Sequence, residues 1–341
     1  MKRIRTVLIG LGTVNRGVIG ILSDQKQNIQ NTYGLELDIV GVADSSGVAI
    51  YDNGFDYQQL LQHKNQKKHV KELSGYLPEI SVENICDHVN ADLLIESSAG
   101  NLKTGQPGLE IVRKALQKGW SAVLANKAPL VFAFDELQQL AKAHGGGLAY
   151  SATVCGGLPV INVLQRDLKL ASLISLKGIF NATSNYIIRE LENGGSFEEA
   201  IKEAQRIGAA EADPSHDVNG HDTANKLFII MKSFTDFSGA ISDISVEGIR
   251  TLTSWQLLEA KNAEQKIKLL AIAEKKENQW SLSVRPTLVH DNSFLGTCDG
   301  WEMGIELKTD LYESISMKNY EADPLGTSAA VVRDVLEIVK G

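Results

Sequence analysis

The sequence predicts an α/β chain: a doubly covered parallel sheet in the first half, then an α+β half with a mixed sheet. Three observations carry this reading. Short apolar runs rich in β-branched residues alternate with helical patterns through the first half, as in a parallel sheet with helices on both faces. A glycine turn, Gly10-Leu11-Gly12-Thr13-Val14-Asn15, lies directly between the first strand and the first helix. After about Tyr150 the alternation gives way to consecutive helices and then short strands.

In chain order, residues 4–9 read as a strand and 14–23 as a helix. Strands follow at 37–43, closed by Asp44, and at 93–95. Leu109, Val112, Ala115 and Leu116 give 106–118 helical spacing, and Gly119 stops it. Residues 121–125 form a fourth strand, and 134–144 a helix that ends at Gly145-Gly146-Gly147. In the second half, 156–170 reads as a helix, 172–180 as a strand, and 184–192 and 196–207 as helices. A polar loop precedes a long helix to about Phe234. Leu257, Leu258, Ile267, Leu270 and Ala271 make 254–276 one amphipathic helix. Short strands at 280–284 and 303–307 and a helix at 328–340 complete the chain. The expected domains are 1–150, for a dinucleotide, and 151–327, with the helix at 328–341 packing back on the first.

Composition narrows the classes. A length of 341 residues fits about two domains. With 43% hydrophobic and 22% charged residues, a disordered chain is excluded. The net charge of −8 and the absence of a basic stripe argue against a nucleic-acid partner; the densest basic cluster, 64–71, reads as a solvated helix face. No apolar run approaches the roughly 18 residues of a membrane helix, and the basic-apolar start stops at Asn15-Arg16 with no cleavage site. Three cysteines without a C-x-x-C point to a reducing compartment. The expectation is a cytoplasmic protein.

The glycine turn has the context of a dinucleotide site. Gly10 permits the bend, Gly12 lets the backbone approach a pyrophosphate, and the helix that opens at Thr13 and Val14 supplies N–H groups and a positive dipole. The third glycine position is Asn15. Asp44, ending the second strand, can accept ribose hydroxyls and repel a 2′-phosphate; no arginine or lysine lies between it and Gln62. That leans towards NAD. Ser97 and Ser98, after the third strand, and Lys127, after the fourth, lie where open parallel sheets gather ligands.

Residues 204–226 hold four carboxylates (Glu211, Asp213, Asp217, Asp222) and Lys226 within sixteen residues. Asp222 and Lys226 are four apart on the next helix. An exposed pair of this kind contributes about 0.2–0.5 kcal/mol to a helix. Against that reading, Ile229 and Ile230 flank the pair opposite the Ala224, Leu227, Phe228, Met231 stripe, so a partly closed cleft is expected, where a lysine can be tuned for proton transfer.

These residues resemble the homoserine dehydrogenase family. Its signature runs from Ala204 through Gly208, Asp213-Pro214, Asp217, Gly220 and Asp222 to Lys226, with only Ala209 smaller than usual. The segments 101–105, 125–130, 152–161 and 181–187 resemble further family blocks in the right order. The resemblance spans nearly the whole chain. It implies an NAD(P)-dependent oxidoreductase interconverting L-aspartate 4-semialdehyde and L-homoserine, on the route to threonine, methionine and isoleucine. It implies a Rossmann-type domain, a catalytic and dimerisation domain with a mixed sheet, a small amino-acid substrate and a homodimer. By position, Asp222 and Lys226 resemble the catalytic pair and Lys127 a second lysine. Glu211, Asp217 and Thr183 resemble substrate contacts.

There are departures. Ala182 replaces a glycine, and the usual lead-in to the last helix is missing before Leu325. Ser151 stands where a glutamate helps backbone carbonyls hold a monovalent cation, so the site at Val154, Gly156 and Leu158 is expected to bind one weakly. The chain ends after the last family helix, so a regulatory domain is not expected. Another dehydrogenase of a small amino or keto acid, or a silent metabolite-sensing homologue, is the alternative.

Overall fold

The first strand, β1 (Lys2–Ile9), buries Val7, Leu8 and Ile9 because a central parallel strand is covered on both faces. A computed structural model describes residues 1–206, 213–277 and 279–340. In chain order β1 is followed by α1 (Thr13–Asp24), α2 (Lys26–Tyr33), β2 (Leu35–Asp44), β3 (Gly47–Ile50), α3 (Tyr57–Asn65), α4 (Ile85–His88), β4 (Leu93–Glu96), α5 (Gly108–Gln117), β5 (Ser121–Leu124), α6 (Ala128–His144) and β6 (Leu148–Ala149). Then come α7 (Val160–Asn162), β7 (Leu173–Ile179), α8 (Ala182–Glu192), α9 (Phe197–Arg206), α10 (Ser215–Val218), α11 (His221–Phe234), β8 (Ser245–Val246), α12 (Ser254–Asn262), β9 (Gln265–Lys276), β10 (Gln279–His290), β11 (Glu302–Thr309), β12 (Ile315–Tyr320) and α13 (Leu325–Lys340). Two units result: Met1–Gly157 with Pro324–Gly341, and Leu158–Asp323.

The first unit has a six-stranded sheet in the order β3-β2-β1-β4-β5-β6. All its pairings are parallel except β3, an antiparallel edge. Strand order reverses between β1 and β4, so the carboxyl ends of these two strands flank the crevice where such sheets take ligands. The core joins Leu8 of β1, Val18 and Ile19 of α1, Ile39 of β2 and Val331 and Val335 of α13. The last helix crosses α1 closely: a Cβ on Gly17 would meet Ser328 Oγ at 2.3 Å, and Ser328 Oγ donates to Val14 O at 3.0 Å.

The second unit has a mixed sheet in the order β12-β11-β7-β9-β10-β8. Only β8 runs parallel to its neighbour, β10. Here the expected helix over 254–276 fails. It stops at Asn262, and β9 begins at Gln265. Both faces of β9 are covered: Leu270 and Ile272 pack with Ile179, Leu295 and Cys298, while Leu269, Ala271 and Ala273 on the other face are also buried. A strand buried on both faces loses the polar–apolar alternation that would mark it. The helix expected over 156–170 also starts later, after Pro159, and its second half, Val163–Asp167, is a π-turn. The backbone before it is left-handed at Cys155 (φ 55°) and Gly156 (φ 53°), which no helix accommodates.

Cys86, Cys155 and Cys298 are all buried and free of disulfides. Among the described residues, no helix is long and apolar enough to cross a membrane.

Candidate active site

In the first unit the glycine turn packs against the end of β4. Gly10 has φ +80°, and a Cβ there would lie 2.6 Å from Ser98 Cα, so only glycine fits. Ser97 Oγ donates to Gly10 O at 3.2 Å. Asn15 compensates for the absent third glycine. Its side chain is fully buried, and Nδ2 donates to Ile9 O at 3.1 Å and to Gly10 O at 2.8 Å, clamping the turn from below. Gly12 precedes Thr13 and Val14 at the start of α1; a Cβ on it would meet nothing within 4 Å. The first turn of α1 has neither an acidic residue nor a side-chain cap. These residues fit a dinucleotide: open space in front of a helix N-terminus whose N–H groups are not already taken by a carboxylate.

At the end of β2, Asp44 Oδ1 accepts Ser46 N at 2.9 Å and Ser46 Oγ at 2.5 Å. Its Oδ2 accepts Lys64 Nζ at 2.8 Å. Burial opposes ionisation of Asp44, but the Lys64 and Ser46 hydrogen bonds outweigh it and hold the carboxyl below its ordinary range. Within the basic cluster 64–71, expected to be a solvated face, Lys67, Lys68 and Lys71 are exposed and Lys64 is not. Lys64 lies at the end of α3, with its side chain only 12% exposed. The corner expected to be acidic holds an ion pair, because α3 folds back over the end of β2.

Lys127 is the residue that precedes α6, directly after β5. The loop after β6 is fastened by α13. Asp334, 2% exposed, accepts Ser151 N at 2.8 Å and Ser151 Oγ at 2.5 Å, and Arg333 Nη2 donates to Ser151 Oγ at 2.8 Å. The loop expected to lack a carboxylate therefore has one, supplied from the far end of the chain. Each of its oxygens accepts one hydrogen bond from Ser151. Val154 and Gly156 lie in the first unit and Leu158 in the second.

In the second unit the acidic loop and the long helix converge on one amide. Lys226 Nζ lies 2.8 Å from Asp222 Oδ2, and the two side chains are only 12% and 14% exposed. Lys226 Nζ also donates to Phe180 O at 2.5 Å. Asn181, next in the chain, donates from Nδ2 to Asp217 Oδ1 at 2.7 Å and to Asp222 Oδ2 at 2.9 Å. Its Oδ1 accepts Ser184 N at 2.7 Å, capping α8. The exposed-pair reading of Asp222 and Lys226 does not hold. Around them α11 buries Thr223, Ala224, Asn225, Leu227, Phe228, Ile229, Ile230 and Met231, so nearly its whole circumference is covered. Thr183 is buried in the first turn of α8. Glu211 lies outside the described residues.

Comparison with known proteins identifies the family of the chain. The family described as homoserine dehydrogenase matches residues 159–336, and its NAD binding domain matches residues 10–151. The homoserine dehydrogenase of Methanocaldococcus jannaschii is 32% identical, over 97% of this chain and 97% of its own. The chain belongs to the homoserine dehydrogenase family. The NAD(+)-dependent homoserine dehydrogenase of Pseudomonas canavaninivorans is 28% identical, over 99% of this chain and 97% of its own. A solved homoserine dehydrogenase of Thiobacillus denitrificans shares the fold with a TM-score of 0.84 and 30% identity, over 100% of this chain and 74% of its own. The protein is thus an NAD(P)-dependent oxidoreductase that interconverts L-aspartate 4-semialdehyde and L-homoserine.

Sequence reasoning missed Asn181, Lys64 and Asp334 in this homoserine dehydrogenase. An asparagine just before a helix is a cap signal, so the first role of Asn181 was within reach; its grip on two carboxylates from another segment was not. Asn181→Ser separates the roles. Serine caps about as well as asparagine but has no amide to bridge the carboxylates. The melting temperature should fall by a few degrees, because Asp217 and Asp222 lose their shared donor while the cap is kept, and kcat should fall by about tenfold or more. An unchanged kcat would reduce Asn181 to a cap.

Proposed function

We propose that Lys226 is the proton donor and acceptor of this homoserine dehydrogenase and that Asp222 holds it charged and aimed. The observation that carries this is the largely buried ion pair at 2.8 Å, built on α11 and fixed by Asn181. In the reducing direction Lys226 gives its proton to the aldehyde oxygen of the semialdehyde; in the oxidising direction it takes the proton from the homoserine hydroxyl. The bound nicotinamide supplies or accepts the hydride. An ammonium suits the task because a compact donor on a flexible stem follows an oxygen as its charge grows. Asp217 and Glu211 are proposed to bind the substrate amino group, with Thr183 beside them. Lys127 is proposed as the second lysine, towards the cofactor and the developing alkoxide.

For the cofactor, Gly10, Gly12, Thr13, Val14, Ser97 and Ser98 are proposed to line the phosphate side, and Asp44 the ribose. Lys64 changes the balance at that ribose. Asp44 alone would repel a 2′-phosphate, but with Lys64 beside it the corner has no net formal charge, so both NAD and NADP are expected as substrates. We also propose a homodimer and a cytoplasmic location. The exposed Trp255 and Leu258 on α12 and Leu288 on β10 favour the former, and the free buried cysteines the latter. With Ser151 in place of a carboxylate, a monovalent cation at the backbone of Val154, Gly156 and Leu158 is proposed to bind only weakly.

Lys226→Ala should lower kcat by about 10²–10⁴-fold, the range of general acid–base assistance, with cofactor affinity unchanged and a lower melting temperature, since Asp222 is left largely buried without its cation. A loss below tenfold would pass the role to Lys127. Lys64→Ala should move the ratio of kcat/KM for NADP over NAD towards NAD by about tenfold, equivalent to 1.4 kcal/mol. A ratio that stays put would show that Lys64 only braces Asp44.

A further inference from the structure

At the end of β4 lies a carboxyl group with no assigned part in the reaction. Glu96 is completely buried. Its Oε1 accepts Ser98 N at 3.1 Å and Asn126 Nδ2 at 3.0 Å, and it contacts the Ser98 hydroxyl. Its Oε2, equally buried, has no hydrogen-bond partner among the described residues. Among the described residues, no lysine, arginine or histidine pairs with it. An ionised carboxylate is a pure acceptor on both oxygens and is costly to bury without a cation or a full set of donors. A neutral acid is the less costly state: Oε1 accepts as the carbonyl oxygen, and an unpaired hydroxyl at Oε2 costs far less than an unpaired ionised oxygen. Burial pushes Glu96 up in the same sense, against the opposing pull of Ser98 and Asn126.

The partners of Glu96 lead to the cofactor edge. Asn126, 5% exposed, uses its Nδ2 on Glu96 and accepts Ala128 N on Oδ1 at 3.0 Å, which fixes the first turn of α6. Lys127 lies between those two anchored residues. The β4 backbone adds a second tie, since Glu96 O accepts Ala125 N at 2.8 Å and Asn126 N at 3.3 Å. Two glycines leave room for the acid–amide pair. A Cβ on Gly108 would lie 2.9 Å from Asn126 Nδ2 and 3.1 Å from Glu96 Oε1; one on Gly100 would lie 2.7 Å from Asn126 Oδ1. On its other side Glu96 holds Ser98, against which the Gly10 turn packs.

We propose that Glu96 is carried as a neutral carboxylic acid and is a positioning residue, holding Asn126 and through it the Lys127 backbone at the cofactor edge of the first sheet. The positioning half rests on the role proposed above for Lys127. The acid state does not.

E96Q, E96L and K127A, and E96L combined with K127A, test this in the full-length enzyme. Glutamine keeps a carbonyl oxygen for the three contacts and puts an amide where the hydroxyl lies. E96Q should retain kcat and cofactor KM within about twofold, whereas E96L should lose about tenfold in kcat/KM. In the K127A background E96L should cost less than about twofold more, because both changes remove one function. Infrared spectroscopy of the wild type at neutral pH should show a protonated-carboxyl C=O band that E96Q lacks. An E96Q enzyme that fails to fold or is as impaired as E96L, or a wild type without that band, would overturn the acid state. Losses that multiply fully between E96L and K127A, or a K127A enzyme with unchanged kcat, would overturn the positioning role.

Discussion

The polar cluster of the second unit depends on one side-chain amide. Asn181 donates to Asp217 and Asp222 at once, 2.7 and 2.9 Å away, while its carbonyl oxygen caps α8. Two carboxylates brought this close repel each other, and each loses hydration when partly buried. A shared N–H₂ group offsets both costs without adding charge. It also ties three segments to one point: the turn after β7, the short helix α10 and the first turn of α11. Lys226 then finds Asp222 already oriented one turn back, and Phe180 O, the neighbouring carbonyl, as its second acceptor. The geometry of the lysine follows from the asparagine rather than from the helix alone.

The nucleotide half is organised by the same economy of buried polar groups. Asn15 replaces a glycine that would have let α1 sit closer to β1, and it turns the lost contact into two hydrogen bonds on the carbonyls of the turn. Asp334 fastens the loop after β6 through Ser151. Lys64 neutralises Asp44 at the end of β2. Asn15 donates within its own turn, whereas Ser151 and Asp44 take partners from distant segments of the first unit. Reading any one of these positions alone therefore misjudges its chemistry.

Much of the fold was legible because its signals are local. The strand–glycine turn–helix at 4–23, the stop at Gly119 and the acidic loop before α11 are all written in neighbouring residues. Asp222 and Lys226 were legible as a pair because four residues span one helical turn, and the isoleucines beside them foretold their enclosure. Long-range partners were not legible. Lys64 is twenty residues from Asp44, and Asp334 is 183 residues from Ser151. β9 was lost for a different reason: covered on both faces, it displays a run of leucine, isoleucine and alanine that period alone cannot tell from a helix.

With Lys226 as the proton donor, Asn181 acts on kcat through Asp222 and Lys226, while its bond to Asp217 bears on the KM for the amino-acid substrate. The direct measurement is kcat for Asn181→Ser and Lys226→Ala, singly and combined, with the melting temperature of each. Groups that work as one unit are strongly non-additive. The double variant should be no slower than Lys226→Ala alone, to within about twofold. Two losses that multiply in the double variant would contradict it.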